Sequence, residues 1–211
     1  MSRTSIAAFD FDGTLTRSDS VVPFLRLVGA RKWMLRLARH APAVIVAAAK
    51  RDRDHLKALA TKAVFRGVSR SRVDALALEH GRAITAGGLR DDVVARLGWH
   101  LEQRHQVVIV SASYEPYVRV VASSLGAADV VATRLAVDAD DVCTGELDGA
   151  NCRAEEKVRR LEHWLSERGL DRADVELWAY GDSAGDRELL AWADHAVWVR
   201  EPLDSVAPAS A

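Results

Sequence analysis

An α/β fold with a parallel central sheet is predicted by the order of apolar runs along the 211-residue chain. Short buried-type runs alternate with segments whose apolar residues recur at helical spacing, the order that produces parallel strands covered by helices on both faces. A second feature, a long helical stretch at residues 18–88 between the first two runs, marks an insertion in that alternation. A third is that several predicted strands end at residues able to do chemistry, and ligands in such sheets sit at the carboxyl ends of the strands.

The elements follow in order. Ser5 to Phe11 reads as a buried strand closing on two aspartates, with Asp12-Gly13-Thr14 as a turn. Val21, Phe24, Leu25 and Val28, then Leu56, Leu59, Ala60, Ala63 and Val64, fall on helix faces, and Gly87-Gly88 ends the helical stretch. Leu89 to Arg104 is a further helix and Gln106 to Ser111 the second strand. Tyr114 to Leu125 is helical, Asp129 to Leu135 is a strand, and Val137 to Asp148 has the turn residues of a hairpin. Glu155 to Arg168 is a helix closed by Gly169, and Val175 to Tyr180 is a strand running into GDSAGD. A short helix, Arg187 to Ala193, and a last strand, His195 to Val199, precede a tail expected to fray from Pro202.

Composition is that of a globular protein, 49% apolar and 28% charged. Cys143 and Cys152 form no CxxC or zinc pattern and read as free thiols in a reducing compartment. No histidine spacing argues for zinc. Only Arg3 precedes an apolar run that soon meets Asp10, so no signal peptide is expected. The longest apolar stretch, Ala41 to Ala49, falls well short of the ~20 residues that span a bilayer. The expected location is the cytoplasm. The net charge of −1 is uneven: residues 26–72 hold thirteen Lys and Arg against two acids, which leaves the rest of the chain strongly acidic.

The string DFDGTLT sets Asp10 and Asp12 two residues apart at a strand end, and in extended backbone such residues point to one side. Paired carboxylates repel unless a cation or shared proton relieves them, and Mg²⁺ is the natural partner for hard oxygen ligands. One carboxylate can attack phosphorus while the other moves protons. A lone Asp here serves equally as a turn or helix cap, and a lone Ser ending a strand, as Ser111 does in VIVSAS, is usually a plain cap.

Taken together, DFDGTLT, VIVSAS, the Lys157 stretch NCRAEEKVRR and GDSAGD resemble, in that order, the four motifs of the haloacid dehalogenase-like hydrolases. The resemblance covers nearly the whole chain. It implies a Rossmann-like three-layer sandwich with a small inserted helical cap, the core being 1–17 and 89–211 and the cap 18–88. It implies Asp10 as nucleophile, Asp12 as acid/base with its backbone carbonyl on Mg²⁺, and Gly13 and Thr14 completing the first motif. Ser111 would hold a phosphate oxygen, with Ala112 and Ser113 beside it. Lys157 would stabilise the phosphoryl group, with Arg153 and Arg159 as rivals; Arg153 has a substrate contact as its alternative role. Asp182 would ligate the metal and Asp186 would support Lys157 or metal-bound water.

The position of the insert marks the phosphoserine phosphatase-like subgroup, in which Asp19 stands where a substrate-binding Glu is usual. That subgroup's glycine-phenylalanine-serine-leucine-arginine pattern is absent from residues 50–72, and Gly185 replaces the usual Asn of the fourth motif. The implied substrate is a small phosphorylated metabolite. Bacterial phosphatidylglycerophosphate phosphatases of the same family share an apolar and basic cap, and Arg31 to Arg39, with Trp33, has the composition of a helix lying peripherally on an anionic membrane face. A core stripe with a solvated basic face accounts for the same residues. A nucleic-acid or anion-binding module fits the basic charge alone, but no nucleic-acid motif accompanies it and the catalytic positions are all filled.

Overall fold

The computed structural model describes residues 3–29, Leu35, Ala38 and 41–203. The predicted interfacial helix at Arg31 to Arg39, including Trp33, lies outside the described residues except for Leu35 and Ala38, as does the tail beyond 203. Six strands form one sheet in the order β4-β3-β2-β1-β5-β6, with β1 Thr4–Phe9, β2 Gln106–Tyr114, β3 Asp129–Val137, β4 Cys143–Asp148, β5 Val175–Gly181 and β6 His195–Trp198. All neighbouring pairs are parallel except β3 with β4, the predicted hairpin at one edge.

Among the described residues five helices stand between β1 and β2: α1 Val21–Gly29, α2 Ala41–Ala49, α3 Arg53–Phe65, α4 Arg70–Gly87 and α5 Asp91–Glu102. The rest are α6 Glu115–Leu125, α7 Glu155–Ser166 and α8 Arg187–Trp192. Strand alternation decides the layers. Ile6 and Ala8 face a core with Leu161, Trp164 and Leu165 of α7 and Leu189 of α8. Ala7 and Phe9 face the opposite core with Val93 and Leu97 of α5 and Tyr117 and Val118 of α6. That second core continues without a break into Phe24, Val64, Phe65, Val73 and Ala77 of the inserted helices. Gly81 permits the close approach of α4 to α6, since a Cβ there would lie 2.6 Å from Val120. Both cysteines are free and buried. Of the tryptophans in the described residues, Trp164 is buried while Trp198 is exposed.

Two of the strand ends that depart from the sequence reading carry the site. β1 stops at Phe9 rather than Phe11, because Asp10 N–H makes the last rung to Tyr180 and the chain then turns, with Thr16 N–H returning to the Phe11 carbonyl. β2 runs past Ser111 to Tyr114 through a bulge: Ser111 pairs with Ala132 and Tyr114 with Thr133, leaving two residues unmatched on β2. Bulges of this kind re-aim side chains at a strand end.

Candidate active site

The carboxyl ends of β1, β2 and β5 meet the inserted helices α1 and α3 around a cleft of about 570 Å³. Asp10, Asp12, Gly13, Asp19, Ser111, Ala112, Ser113, Arg153, Lys157, Asp182 and Asp186 all line it. Thr14 is fully buried beside it and donates to Asp182 Oδ1 at 3.3 Å.

Lys157 occupies the centre. Its Nζ is 2.5 Å from Asp10 Oδ1 and also donates to Asp186 Oδ1, with the side chain only 2% exposed. Burial alone would strip the lysine of its charge, but the two carboxylates outweigh it and hold its pKa above the ordinary value. Of the rival cations, Arg159 is exposed and paired with Glu156, while Arg153 lines the cleft. Ala154, between Arg153 and the helix, has φ +53°, a left-handed conformation that is costly for a residue with a Cβ, and its N–H is tied to the Gly185 carbonyl. This kink joins the start of α7 to the loop after β5. Gly185 also leaves room for Arg153, whose Cγ and Nε would lie 3.2 Å from a Cβ there.

Asp10, Asp182 and Asp186 bring carboxylate oxygens within 4.8 Å of one another. Burial pushes the Asp10 carboxyl up to about 7, against the pull of Lys157 and with the repulsion of Asp186 added. Burial and Asp186 likewise raise Asp182. Such a set of hard oxygen donors could hold a divalent cation of the Mg²⁺ kind. Gly13, at φ +82°, completes the cradle: a Cβ there would sit 2.4 Å from Asp182 Oδ2. Asp186 is held in turn by Ser183, whose N–H and hydroxyl both donate to its Oδ2, at 3.0 and 2.8 Å.

Asp12 stands apart from this cluster. Its Oδ1 accepts from Ser20 N–H at 2.9 Å and its Oδ2 from the Ser113 hydroxyl, while burial raises its pKa. The Ser113 side chain is therefore engaged with Asp12, and its N–H donates to Ser111 Oγ at 2.9 Å. Asp19 lines the outer cleft, and one of its oxygens accepts from Val22 N–H at the start of α1. Tyr114 borders the cleft and bonds Thr61 through its hydroxyl at 2.8 Å, whereas Glu115 pairs with Arg119 outside it.

Three cleft residues escaped the sequence reading. Lys57 of α3 reaches the Ala112 carbonyl and lies 4.4 Å from the centre of the Tyr114 ring; burial lowers its pKa to about 8. Arg53, one turn earlier, also lines the cleft. Asn151 donates to Asp54 of α3 at 2.6 Å and accepts from Thr133 at 2.9 Å, clasping the inserted helices to the sheet. Their only sequence signal was membership of the basic stretch, or a place just ahead of α7.

Residues 7–191 match the model of the family described as haloacid dehalogenase-like hydrolase. The chain belongs to that family. Among relatives of this hydrolase, the protein CicA of Caulobacter vibrioides is 40% identical over 191 residues, 90% of this chain and 83% of CicA. A Bordetella pertussis Tohama I protein of unknown function has the same fold at a TM-score of 0.75 and 23% identity, covering 90% of this chain and 87% of that one. A phosphoserine phosphatase solved as a phospho-aspartyl intermediate analogue follows at a TM-score of 0.61 and 19% identity, covering 90% and 84%.

Proposed function

We propose that this hydrolase is a Mg²⁺-dependent phosphatase that cleaves a phosphate monoester through an aspartyl-phosphate on Asp10. The observation carrying the proposal is the ion triplet in which Lys157 bridges Asp10 and Asp186 at the closed end of a cleft lined by Asp182 and Ser111. A phosphoryl group entering there meets a carboxylate nucleophile already fixed in direction by a buried cation. Residues 18–88 act as a cap on a core of 1–17 and 89–211, clasped to it by the contacts of Lys57 with Ala112 and of Asp54 with Asn151.

In the first step an Asp10 oxygen attacks phosphorus, the bond from phosphorus to the leaving oxygen breaks, and Asp12 gives that oxygen its proton. In the second, water attacks phosphorus, Asp12 takes the water's proton, the bond from phosphorus to Asp10 breaks, and inorganic phosphate leaves. Ser113 and Ser20 hold Asp12 in one orientation for both steps. Lys157 offsets charge gathering on the phosphoryl oxygens, and Ser111 donates to one of them. Asp10, Asp182 and the Asp12 carbonyl would hold Mg²⁺, with Asp186 beside them; the ion supplies charge that lets two anions approach. Lys57, Arg53 and Arg153 line the entrance with cations, which suits a small anionic metabolite.

The test is hydrolysis of a generic aryl phosphate with added Mg²⁺, with EDTA, and with EDTA followed by excess Mg²⁺. Activity that EDTA removes and Mg²⁺ restores is the expected result; turnover indifferent to EDTA contradicts the proposal.

A further inference from the structure

Helix α2, Ala41–Ala49, contains no polar side chain, and Ala47 is the only one of its residues that is buried. A helix apolar all round belongs inside a protein or against another apolar phase. Here Ile45 is 67% exposed and Val46 53%. Among the described residues, four of the six exposed large apolar side chains, Val22, Leu35, Ile45 and Val46, fall between residues 22 and 46. Ile45 and Val46 thus adjoin as exposed large apolar side chains on one helix, which marks an interaction face.

The same stretch is rich in cations. Lys50, Arg51 and Arg53 are all exposed immediately after α2, and residues 26–72 hold thirteen Lys and Arg against two acids. The helix ends with Arg51 at φ +55°, and Asp52 N–H returns to the Ala47 carbonyl, so the chain reverses at a cation rather than at a glycine. The occupant must therefore be apolar within and anionic at its rim. A second copy of this chain would bring the same positive charge against itself. A nucleic acid would leave Ile45 and Val46 without a partner. At nine residues α2 is too short to cross a bilayer, and among the described residues no helix qualifies to do so.

We propose that α2 and the cations following it dock on the surface of an anionic lipid bilayer, with Ile45 and Val46 entering the headgroup and acyl boundary and Lys50 and Arg51 meeting lipid phosphates. Arg53 and Leu56, just beyond, line the catalytic cleft, so docking sets the rim of the cleft beside the headgroups. The inference stands on the exposed helix and its charge, independently of the phosphatase reading.

The experiment is flotation of the full chain with phosphatidylcholine vesicles, with and without phosphatidylglycerol, alongside Ile45→Asp/Val46→Asp and Lys50→Glu/Arg51→Glu. Expected are binding to the phosphatidylglycerol vesicles only, weakening with salt, and loss by about ten-fold or more in each double variant. Turnover of a soluble aryl phosphate stays at the wild-type rate, which shows that the variants fold. The proposal is overturned if the wild type stays unbound at low salt, or if both variants bind as well as it does. It is equally overturned if light scattering shows a dimer that Ile45→Asp/Val46→Asp dissolves. Flotation without any phosphatase activity would keep the docking face and sink the proposed reaction instead.

Discussion

Replacing Lys157 with Met separates the charge logic of the site from its shape. The methionine keeps the length of the stem and removes the ammonium that lies 2.5 Å from Asp10 Oδ1 and also bonds Asp186. Two buried carboxylates then face each other, with oxygens within 4.8 Å. At an effective dielectric of about 20 that repulsion amounts to roughly 3–4 kcal/mol, in line with the loss of about 3–5 kcal/mol when one partner of a buried pair is removed. Urea titration in EDTA at pH 8 should show a loss of that size. The sign with pH follows from the carboxylates. In the variant the Asp10 carboxyl, without its cation, rises further above the unfolded value of 3.8, so the folded state binds the extra proton and gains stability as pH falls. Wild-type Asp10, already at about 7, gains little between pH 8 and pH 7. The variant's deficit therefore narrows by about 1 kcal/mol over that interval. Turnover of an aryl phosphate should fall by about a hundred-fold or more, since a donor to the developing charge is lost. A variant within about 1 kcal/mol of wild type at pH 8, turning over at the wild-type rate, refutes the reasoning.

Three further perturbations test neighbouring parts of the account. Gly13→Ala must place a Cβ 2.4 Å from Asp182 Oδ2 at φ +82°; calorimetry should show a loss of about 1–2 kcal/mol, and half-activation should need more Mg²⁺. Lys57 loses its charge as pH rises through about 8, so KM for an anionic ester should climb above that pH with kcat little changed, and Lys57→Met should show a raised KM that is flat with pH. His100 is fully buried and hydrogen-bonded to Tyr180 and His105 at 2.8 Å, and burial chiefly, with Arg96 and His105, lowers its pKa to about 3. The unfolded chain binds a proton below about 6.5 while the folded one does not. Stability should thus drop by about 2 kcal/mol from this residue between pH 6.5 and pH 5, a slope that His100→Gln should remove in urea titrations.

The inner strands were legible because β1, β2 and β5 hold short apolar runs between turn residues, as in IAAF of β1 and VVIV of β2. Asp10 and Ser111 stood out because each follows such a run directly, and Asp182 and Asp186 because they sit in the turn-rich GDSAGD after Tyr180. Local pattern could not choose among Arg153, Lys157 and Arg159. The choice is made by the kink at Ala154 and by which face of α7 turns toward the sheet, a tertiary matter. The bulge after Ser111 was hidden for the same reason: nothing in SASY by itself shows that two residues of β2 go unmatched by β3. Lys57 and the Asp54–Asn151 clasp join residues 55 and 97 positions distant from their partners, beyond the reach of any periodicity. The basic stretch could be counted but not oriented, and α2 showed which part of it faces solvent with apolar side chains.

The central claim is that Asp10 becomes phosphorylated during turnover. Acid-quenched samples taken during hydrolysis of an aryl phosphate, digested and mapped by mass spectrometry, should carry one phosphoryl group on the peptide containing Asp10 and none in Asp10→Asn. Phosphate found on another residue, or steady turnover by Asp10→Asn with no labelled peptide, would contradict it.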